Sequence, residues 1–199
     1  MSSAKRGRGR PRSEEAHRAI LGAAEKLLLK HGLTGASMDE IADYAGVSKA
    51  TIYRWWPSKE LLALEALLRS WDADVDDKKT DTGTLRGDLR AILRPWVKRA
   101  TERRFTPLVA ALTAEAQRDR HFAQTWRERF MESRRAGDRE VFARAIRRGE
   151  INAKTDIDLA LDMIFGTLYH RLLHAHQPVS VPVAYRVVDQ VLAGLGSSA

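Results

Sequence analysis

The sequence predicts an all-α protein, in which an amino-terminal three-helix domain is joined to a larger helical domain, with about nine helices in total. Apolar residues recur at intervals of three and four along most of the chain, which is the periodicity of amphipathic helices. No segment alternates apolar and polar residues as a half-buried strand does. Between Ser37 and Lys59, two short helical segments flank a tight turn, which is the layout of a helix-turn-helix.

The composition is that of a soluble globular chain. Hydrophobic residues make up 44% and charged residues 30% of the 199 positions, which is enough apolar material for a sizeable core. The absence of cysteine excludes disulfide bonds, thiolate metal sites and cysteine nucleophiles. The amino terminus lacks the apolar stretch of a secretory signal, and no apolar run approaches the ~20 residues of a membrane span. We therefore expect a cytoplasmic protein that has no membrane partner.

Positive charge is concentrated at the amino terminus. The net charge is +8, and residues 1–12 contain five basic residues and no acidic one. This arm cannot bury apolar surface and is expected to be disordered. A basic arm beside a charge-balanced helical domain indicates a polyanion partner, most simply DNA, with Arg8, Arg10 and Arg12 as contacts. The alternative is a solvated tail that only aids solubility.

The first helix is predicted to run from Ser13 to His31. Its apolar residues form one stripe, and Gly32 is suited to the left-handed conformation that commonly follows a helix end. We expect this helix to pack behind the helix-turn-helix as a scaffold.

Capping residues delimit the helix-turn-helix. Ser37 and Glu40 have the spacing of a capping box, so the second helix should begin directly after Ser37. Gly46 permits a sharp turn, and Ser48 can cap the third helix. Pro57 ends the third helix because it disfavours the helical conformation in the residue before it.

The run GVSKATIYRWWPSKELL, residues 46–62, is the most distinctive motif of the chain. Together with the preceding ILGAAEKLLLKHGLTGASMDEIADYA, it resembles the amino-terminal domain of TetR-family transcriptional regulators. The resemblance implies a helix-turn-helix DNA-binding domain at residues 13–57 and a helical effector-binding and dimerisation domain at residues 58–199.

The same resemblance makes residues 48–55 the recognition helix in the major groove. The three residues after Ser48 would face base edges, whereas Tyr53 and Lys59 would contact phosphates. Tyr53 could instead be a core aromatic residue, and Lys49 could be a solvated charge. The predicted DNA contacts in this domain are Ser37, Ser48, Lys49, Ala50, Thr51, Tyr53, Trp55 and Lys59.

Beyond residue 83 every periodic segment is helical. Pro95 should kink or split one of these helices, and Thr155 is expected to cap the penultimate one. Aromatic and apolar residues could line an effector cavity between the helices, although each could equally be a core residue. The pocket candidates are Trp96, Phe105, Leu112, Glu115, Phe122, Trp126, Phe130 and Met163.

The resemblance further implies a homodimer held by the last two helices. The segment DLALDMIFGTLYHRLLHAH, residues 158–176, is apolar on more than one face, which favours burial within the subunit and against a partner. The candidates for the dimer interface are Leu161, Phe165, Leu168, Leu172, Val187, Val191 and Leu195.

No cofactor or metal site is predicted. His170 and His174 are four residues apart, with His176 nearby, but zinc sites need three or four converging ligands, and histidines at a helix end are favoured by its dipole. No nucleophile elbow, P-loop or dinucleotide motif occurs in the sequence.

Three functions are consistent with these patterns. The first is a DNA-binding regulator, by resemblance a repressor released from a palindromic operator by a small-molecule effector. The second is a DNA-binding dimer that has no effector. The third, an enzyme built on a helical bundle, is disfavoured because no catalytic motif supports it.

Overall fold

The computed structural model of the protein describes residues 10–72, 81–102 and 105–196. These residues form helices and short connections without strands, which confirms the all-α prediction. The chain divides into two compact units, residues 1–70 and 71–199. Among the described residues, no helix has the length and apolar character needed to cross a membrane.

Four helices build the first unit. They are α1 (Arg10–Gly35), α2 (Met38–Ala45), α3 (Lys49–Trp55) and α4 (Lys59–Asp72), of which the last two residues fall beyond the unit. Helix α1 contains a break at Gly32, whose φ of 74° is left-handed. The left-handed Gly32 matches the predicted end of the first helix, although helical turns continue to Gly35.

The first unit has one core, to which all four helices contribute. Ile20 of α1, Ile41 of α2, Ile52 of α3 and Leu62 of α4 are completely buried. Trp56 is also buried, and its indole Nε1 donates to Glu65 Oε2 at 3.1 Å.

The first unit extends beyond the predicted boundary at residue 57, because α4 is tied to the helices before it. Glu65 of α4 pairs with His17 of α1 at 3.2 Å, in addition to accepting the indole hydrogen of Trp56. Arg69 donates to the main-chain oxygen of Arg18 at 3.3 Å. These contacts place most of α4 in the first unit instead of the second.

The second unit consists entirely of helices in the described ranges. One long helix is continuous from Arg120 to Arg147 and contains a π-helical segment, so that counting it once gives nine helices over the described parts of the chain. The elements are α5 (Leu85–Ala100), α6 (Phe105–Arg118), α7 (Arg120–Trp126), the π-helical segment (Arg127–Glu132), α8 (Ser133–Arg147), α9 (Ile157–His174) and α10 (Val181–Gly196).

Two local predictions for this unit need correction. Pro95 lies inside α5 and does not split it, since the helix continues to Ala100, so that of the two predicted effects only a kink is left. The cap of α9 is Asp156 and not Thr155, because the carboxylate of Asp156 accepts the main-chain N–H of Leu159 at 3.0 Å.

The core of the second unit is rich in aromatic side chains. Trp126 stacks on Phe130 with ring centroids 4.1 Å apart, and Phe122 lies 6.3 Å from Trp126. Trp96 of α5 packs edge-on against Tyr169 of α9. Burial raises the pKa of the Tyr169 hydroxyl, in spite of a hydrogen bond from Trp96 that lowers it.

Candidate nucleic-acid interface

A surface cleft of about 450 Å³ lies in the first unit, where the end of α1, the start of α2, one side of α3 and the start of α4 meet. It combines hydroxyl groups, ammonium groups and the amino-terminal turn of a helix, which are the groups that contact phosphates in protein–DNA complexes. The lining residues are Thr34, Gly35, Ala36, Ser37, Met38, Asp39, Lys49, Tyr53, Pro57, Ser58 and Lys59.

Ser37 fixes the start of α2 through a complete capping box, as predicted. Its hydroxyl accepts the N–H of Glu40 at 3.1 Å, and its own N–H donates to the Glu40 carboxylate at 2.9 Å. These hydrogen bonds lower the pKa of Glu40. The amino-terminal turn of α2 lines the cleft with Ser37, Met38 and Asp39, and the start of a helix favours an anion.

The turn between α2 and α3 depends on Gly46. Its φ of 66° is left-handed, and the N–H of Val47 bonds back to the carbonyl of Ala42 at 3.0 Å, as in a Schellman motif. Ser48 then caps α3, accepting the N–H of Thr51 at 3.3 Å. The turn and the cap together set the direction in which α3 leaves α2.

Helix α3 has one buried face and one exposed face. Ile52 is completely buried, while Lys49 and Ala50 are exposed at the start of the helix and Thr51 is half-buried. The hydroxyl of Thr51 lies 2.8 Å from that of Ser48. The residues predicted to face bases therefore point away from the core.

Lys49 is held by an acidic neighbour from the facing helix. Its Nζ lies 2.7 Å from Oδ1 and 2.9 Å from Oδ2 of Asp39. The hydrogen bond to Asp39 raises the pKa of Lys49, so the ammonium group is charged at neutral pH.

The aromatic residues at the end of α3 differ in exposure. Tyr53 is 44% exposed, which contradicts the alternative that it is a core residue. Trp55 is 40% exposed, and its ring lies edge-on to His17 at 4.9 Å. Tyr53 and Trp55 are thus accessible to a partner, whereas Trp56 is not.

Lys59 begins α4 and reaches back across the cleft. Its Nζ donates to the carbonyl of Ala36 at 2.9 Å, and Ser58 caps the helix by accepting the N–H of Leu61 at 3.3 Å. The ammonium group is therefore fixed beside the start of α2.

The structure brings together four of the predicted contacts in the cleft, namely Ser37, Lys49, Tyr53 and Lys59. Ser48, Ala50, Thr51 and Trp55 lie outside the lining on α3 or at its cap. Arg8 lies outside the described residues, and only the backbone is described at Arg10 and Arg12.

Thr34 and Asp39 also line the cleft, although the sequence analysis did not single them out. Asp39 and Lys49 are ten positions apart on different helices, so no local spacing connects them. The pairing could have been found only by placing α2 and α3 side by side.

Comparison with known proteins decides the family. A family model described as bacterial regulatory proteins, tetR family, matches residues 20–66. A second model, described as the tetracyclin repressor-like C-terminal domain, matches residues 79–191, which is more than half of the chain. The chain belongs to the TetR family. Its members are DNA-binding transcriptional regulators, which confirms the prediction at this level.

Relatives in this family cover almost the whole chain. The uncharacterized HTH-type transcriptional regulator YdeS of Bacillus subtilis is 36% identical over 166 residues, which are 83% of this chain and 82% of YdeS. The DNA-binding transcriptional repressor TetR of Mycobacteroides abscessus is 32% identical over 181 residues, covering 91% and 94%. The crystal structure of the TetR family transcription regulator SCO0332 superposes with a TM-score of 0.79 at 32% identity, covering 90% of this chain and 98% of that one. These proteins are regulators and not enzymes, which confirms that prediction for this TetR-family chain.

The residues predicted to line an effector pocket are mostly core residues of this TetR-family protein. Trp96, Phe105 and Leu112 are buried, as are the stacked Phe122, Trp126 and Phe130. Glu115 is partly exposed and lies 3.7 Å from Arg118. Met163 differs from the other candidates, because it is 41% exposed and lines a surface groove between α9 and α10.

The prediction for the dimer interface requires one correction. Leu161 and Leu168 are buried inside the second unit and cannot present a surface to a partner. Phe165 is half-buried beside Trp96, and Leu172 is half-buried as well. By contrast, α9 and α10 form a surface groove of about 780 Å³, lined by Met163, Thr167, Arg171, Val183, Arg186, Val187, Gln190, Val191, Gly194 and Leu195.

The histidines at the end of α9 are close in space. The ring of His170 lies 4.6 Å from that of His174 and 4.9 Å from that of His176. Over the described ranges, no group of three or more His, Asp or Glu side chains has the arrangement of a metal site.

Proposed function

We propose that this TetR-family regulator is a homodimeric repressor that binds a palindromic operator and is released from it by a small-molecule effector. The observation that carries the DNA-binding part is the cleft of the first unit, which places Tyr53, Lys49 and Lys59 beside the capped start of α2. The similarity to the repressor of Mycobacteroides abscessus, at 32% identity over most of both chains, supports repression over activation.

The contacts fall into two classes. Tyr53, Lys59 and the start of α2 lie in the cleft and bind phosphates, which fixes the position of the protein on the duplex. The exposed start of α3, with Lys49, Ala50 and Thr51, enters the major groove, where base edges differ from one another.

A homodimer follows from the geometry of DNA and from the surface of the second unit. Two recognition helices must reach half-sites about one helical turn apart, ~34–36 Å. The groove between α9 and α10 exposes Met163 at 41% and half-exposes Val187 and Leu195, and an apolar surface of this kind is covered in a stable assembly. We place the dimer contact there.

An effector acts by binding more tightly to the dimer when its two DNA-binding units have one separation than when they have another. The ligand prefers the separation that does not fit the operator. The affinity of the dimer for the operator then falls by the factor of that preference. We place this site among the helices of the second unit that the family model matches, residues 79–191.

A second candidate is a DNA-binding dimer that has no effector. It is favoured by one observation, the direct stack of Trp126 on Phe130 at 4.1 Å, because aromatic side chains that fill the interior leave little room for a ligand.

Selection of bound duplexes from a random pool tests the DNA-binding proposal. The expected result is a palindrome whose half-site centres are separated by about 10–10.5 base pairs, or a multiple of this spacing. Recovery of unrelated sequences, or of a single asymmetric site, would contradict a symmetric operator.

A thermal-shift screen against metabolites and drugs, followed by measurement of operator release, separates the two candidates. A compound that stabilises the protein and lowers operator affinity supports the effector. If every stabilising compound leaves operator affinity unchanged, the second candidate is correct.

Light scattering of Val187→Glu tests the dimer contact. A charge in the apolar groove should convert the dimer to a monomer, whereas Ala114→Glu, on the exposed face of α6, should not. A Val187→Glu protein that stays dimeric would place the contact elsewhere.

A further inference from the structure

The cleft contains a carboxylate, which is an unusual group for a surface that binds phosphate. Asp39, in the first turn of α2, lines the cleft together with Lys49 and Lys59. The side chains that line it carry two positive charges and one negative charge, a net of +1. Removing the carboxylate would double that net charge.

The carboxylate is directed at one lysine. Both oxygens of Asp39 lie within 2.9 Å of Lys49 Nζ, while Lys59 donates to the carbonyl of Ala36. The Lys49 and Asp39 side chains are 57% and 61% exposed, so water and salt compete with the pair and it contributes little to stability.

Resting on the proposed function, we propose that Asp39 determines specificity by holding Lys49 for base edges and away from phosphates. A lysine ammonium has three donors on a flexible four-carbon stem, and an unrestrained lysine neutralises any phosphate within reach. With Asp39 in place, one or two of those donors are occupied, and the remaining donor can reach a purine acceptor in the major groove.

The contact between Asp39 and Lys49 affects the binding of random DNA and the binding of the operator differently. On random DNA, Lys49 stays with Asp39 and adds no phosphate contact. On the operator, the lysine is already ordered where the base acceptor lies, so less side-chain freedom is lost on binding. Asp39 is thus a positioning residue, acting through Lys49.

The test compares Asp39→Asn with a control of the same charge change on the same helix. Asp43→Asn is suitable because Asp43 is exposed on α2 and is not among the residues that line the cleft. Both full-length proteins are measured by fluorescence anisotropy against the selected operator and a random duplex, across a series of salt concentrations. Thermal unfolding of each variant establishes that it is folded.

Asp39→Asn should bind the random duplex roughly two- to fivefold more tightly, which is the scale of one exposed charge pair. Its plot of log affinity against log salt on that duplex should be steeper by about 0.9, equivalent to one added phosphate contact. Operator affinity should stay the same or fall, so the ratio of the two affinities decreases. Asp43→Asn should change neither the slope nor the ratio.

Two results would overturn the proposal. The first is an equal tightening on operator and random DNA, which would mean that Asp39 only repels phosphates. The second comes from the Lys49→Met background, where Asp39→Asn should have almost no effect on the random duplex. An effect as large as in the wild type would show that Asp39 does not act through Lys49.

Failure of the underlying function has a different signature. If the wild-type protein selects no duplex from the random pool, DNA binding itself is wrong. If the wild type selects an operator and Asp39→Asn behaves like Asp43→Asn, only the role of Asp39 is wrong.

Discussion

Tyr53 is 44% exposed on α3, although Ile52 beside it in the sequence is completely buried. The hydroxyl is uncharged, so it can add a hydrogen bond to a phosphate without changing the number of charges that meet the DNA. Thr51 stands two residues earlier, with its hydroxyl 2.8 Å from that of Ser48. The two side chains allow phosphate contacts to be separated from base contacts.

Tyr53→Phe should weaken binding to all duplexes by about 0.5–1.5 kcal/mol, the contribution of one hydrogen bond, without changing the salt slope. Thr51→Ala should instead lower the preference at one position of the operator, because we propose that Thr51 contacts a base edge. Affinities for a panel of single-base variants of the operator measure both effects. Equal patterns for the two variants would show that the contacts were assigned wrongly.

Asp88 is a buried carboxylate in the second unit, and its side chain is 0% exposed. It accepts the N–H of Thr82 at 2.6 Å and the hydroxyl of Thr82 at 2.8 Å, and it lies 3.3 Å from Arg148 and 3.4 Å from Arg144. Burial alone would raise the pKa of Asp88. The hydrogen bonds from Thr82, Arg148 and Arg144 outweigh burial and lower that pKa below its ordinary value of 3.8.

Asp88→Asn should lower the free energy of unfolding at pH 7 by roughly 2–4 kcal/mol, because two arginines lose a buried partner. A carboxyl whose pKa is lowered by folding stabilises the protein above the unfolded pKa, and this contribution is lost as the pH falls through the folded value. The difference between wild type and variant should therefore be constant above about pH 5 and shrink below about pH 4. Urea unfolding across that range measures it.

Asp81→Asn is the matched control for this change. Asp81 also pairs with Arg148, at 3.1 Å, but its side chain is 59% exposed. The expected loss is below about 1 kcal/mol. A loss as large as that of Asp88→Asn would contradict the argument from burial.

At the level of elements, the helix-turn-helix depends on a glycine that no other residue replaces without strain. A Cβ atom built on Gly46 would meet no atom within 4 Å, so the constraint is its φ of +66° alone. Gly22, in the middle of α1, is equally open but does not have a positive φ. Substitutions at Gly46 and Gly22 therefore separate the effect of backbone conformation from the effect of the space available to a side chain.

Gly46→Ala should destabilise the first unit by about 1–2 kcal/mol, the cost of a left-handed conformation with a side chain. Gly22→Ala should stabilise the unit by roughly 0.5–1 kcal/mol, because alanine loses less freedom than glycine in a helix. Thermal unfolding measures both changes. If both substitutions moved stability in the same direction, the conformation at Gly46 would not be the cause.

Helix boundaries were predictable where a local signal specifies them. Ser37 and Glu40 lie three residues apart, so the sequence alone gives the capping box that the structure contains. Near α9, Thr155 and Asp156 are both able to cap, and the sequence could not decide between them. The observed cap, Asp156, is the residue whose carboxylate reaches the N–H of Leu159.

Contacts that join distant parts of the chain were not predictable. The partners of Asp88 include Arg144 and Arg148, more than fifty positions away. On α9, the apolar residues surround the helix, so periodicity could not tell the buried Leu161 from the exposed Met163. The packing of α9 against α5, α6, α8 and α10 decides which face is inside.

Across the whole molecule, charge and specificity lie in different segments. Residues 13–59 contain equal numbers of basic and acidic residues, whereas the first twelve residues contribute five positive charges to the total of +8. We expect the charge-balanced first unit to attract DNA weakly at long range, and the basic arm to supply that attraction without reading sequence.

Deletion of residues 1–9 tests this division, because it removes Lys5, Arg6 and Arg8 and leaves α1, which begins at Arg10, in place. The plot of log affinity against log salt should become flatter by up to about 2.7 if all three residues meet phosphates. Affinity for operator and random duplexes should fall by the same factor, since the arm contacts the backbone and not the bases. Replacing the three basic residues by glutamine in the full-length chain is the control for the loss of chain itself, and it should reproduce the deletion. An unchanged slope in both proteins would show that the arm is a solvated tail, and a loss confined to the operator would show that it reads sequence.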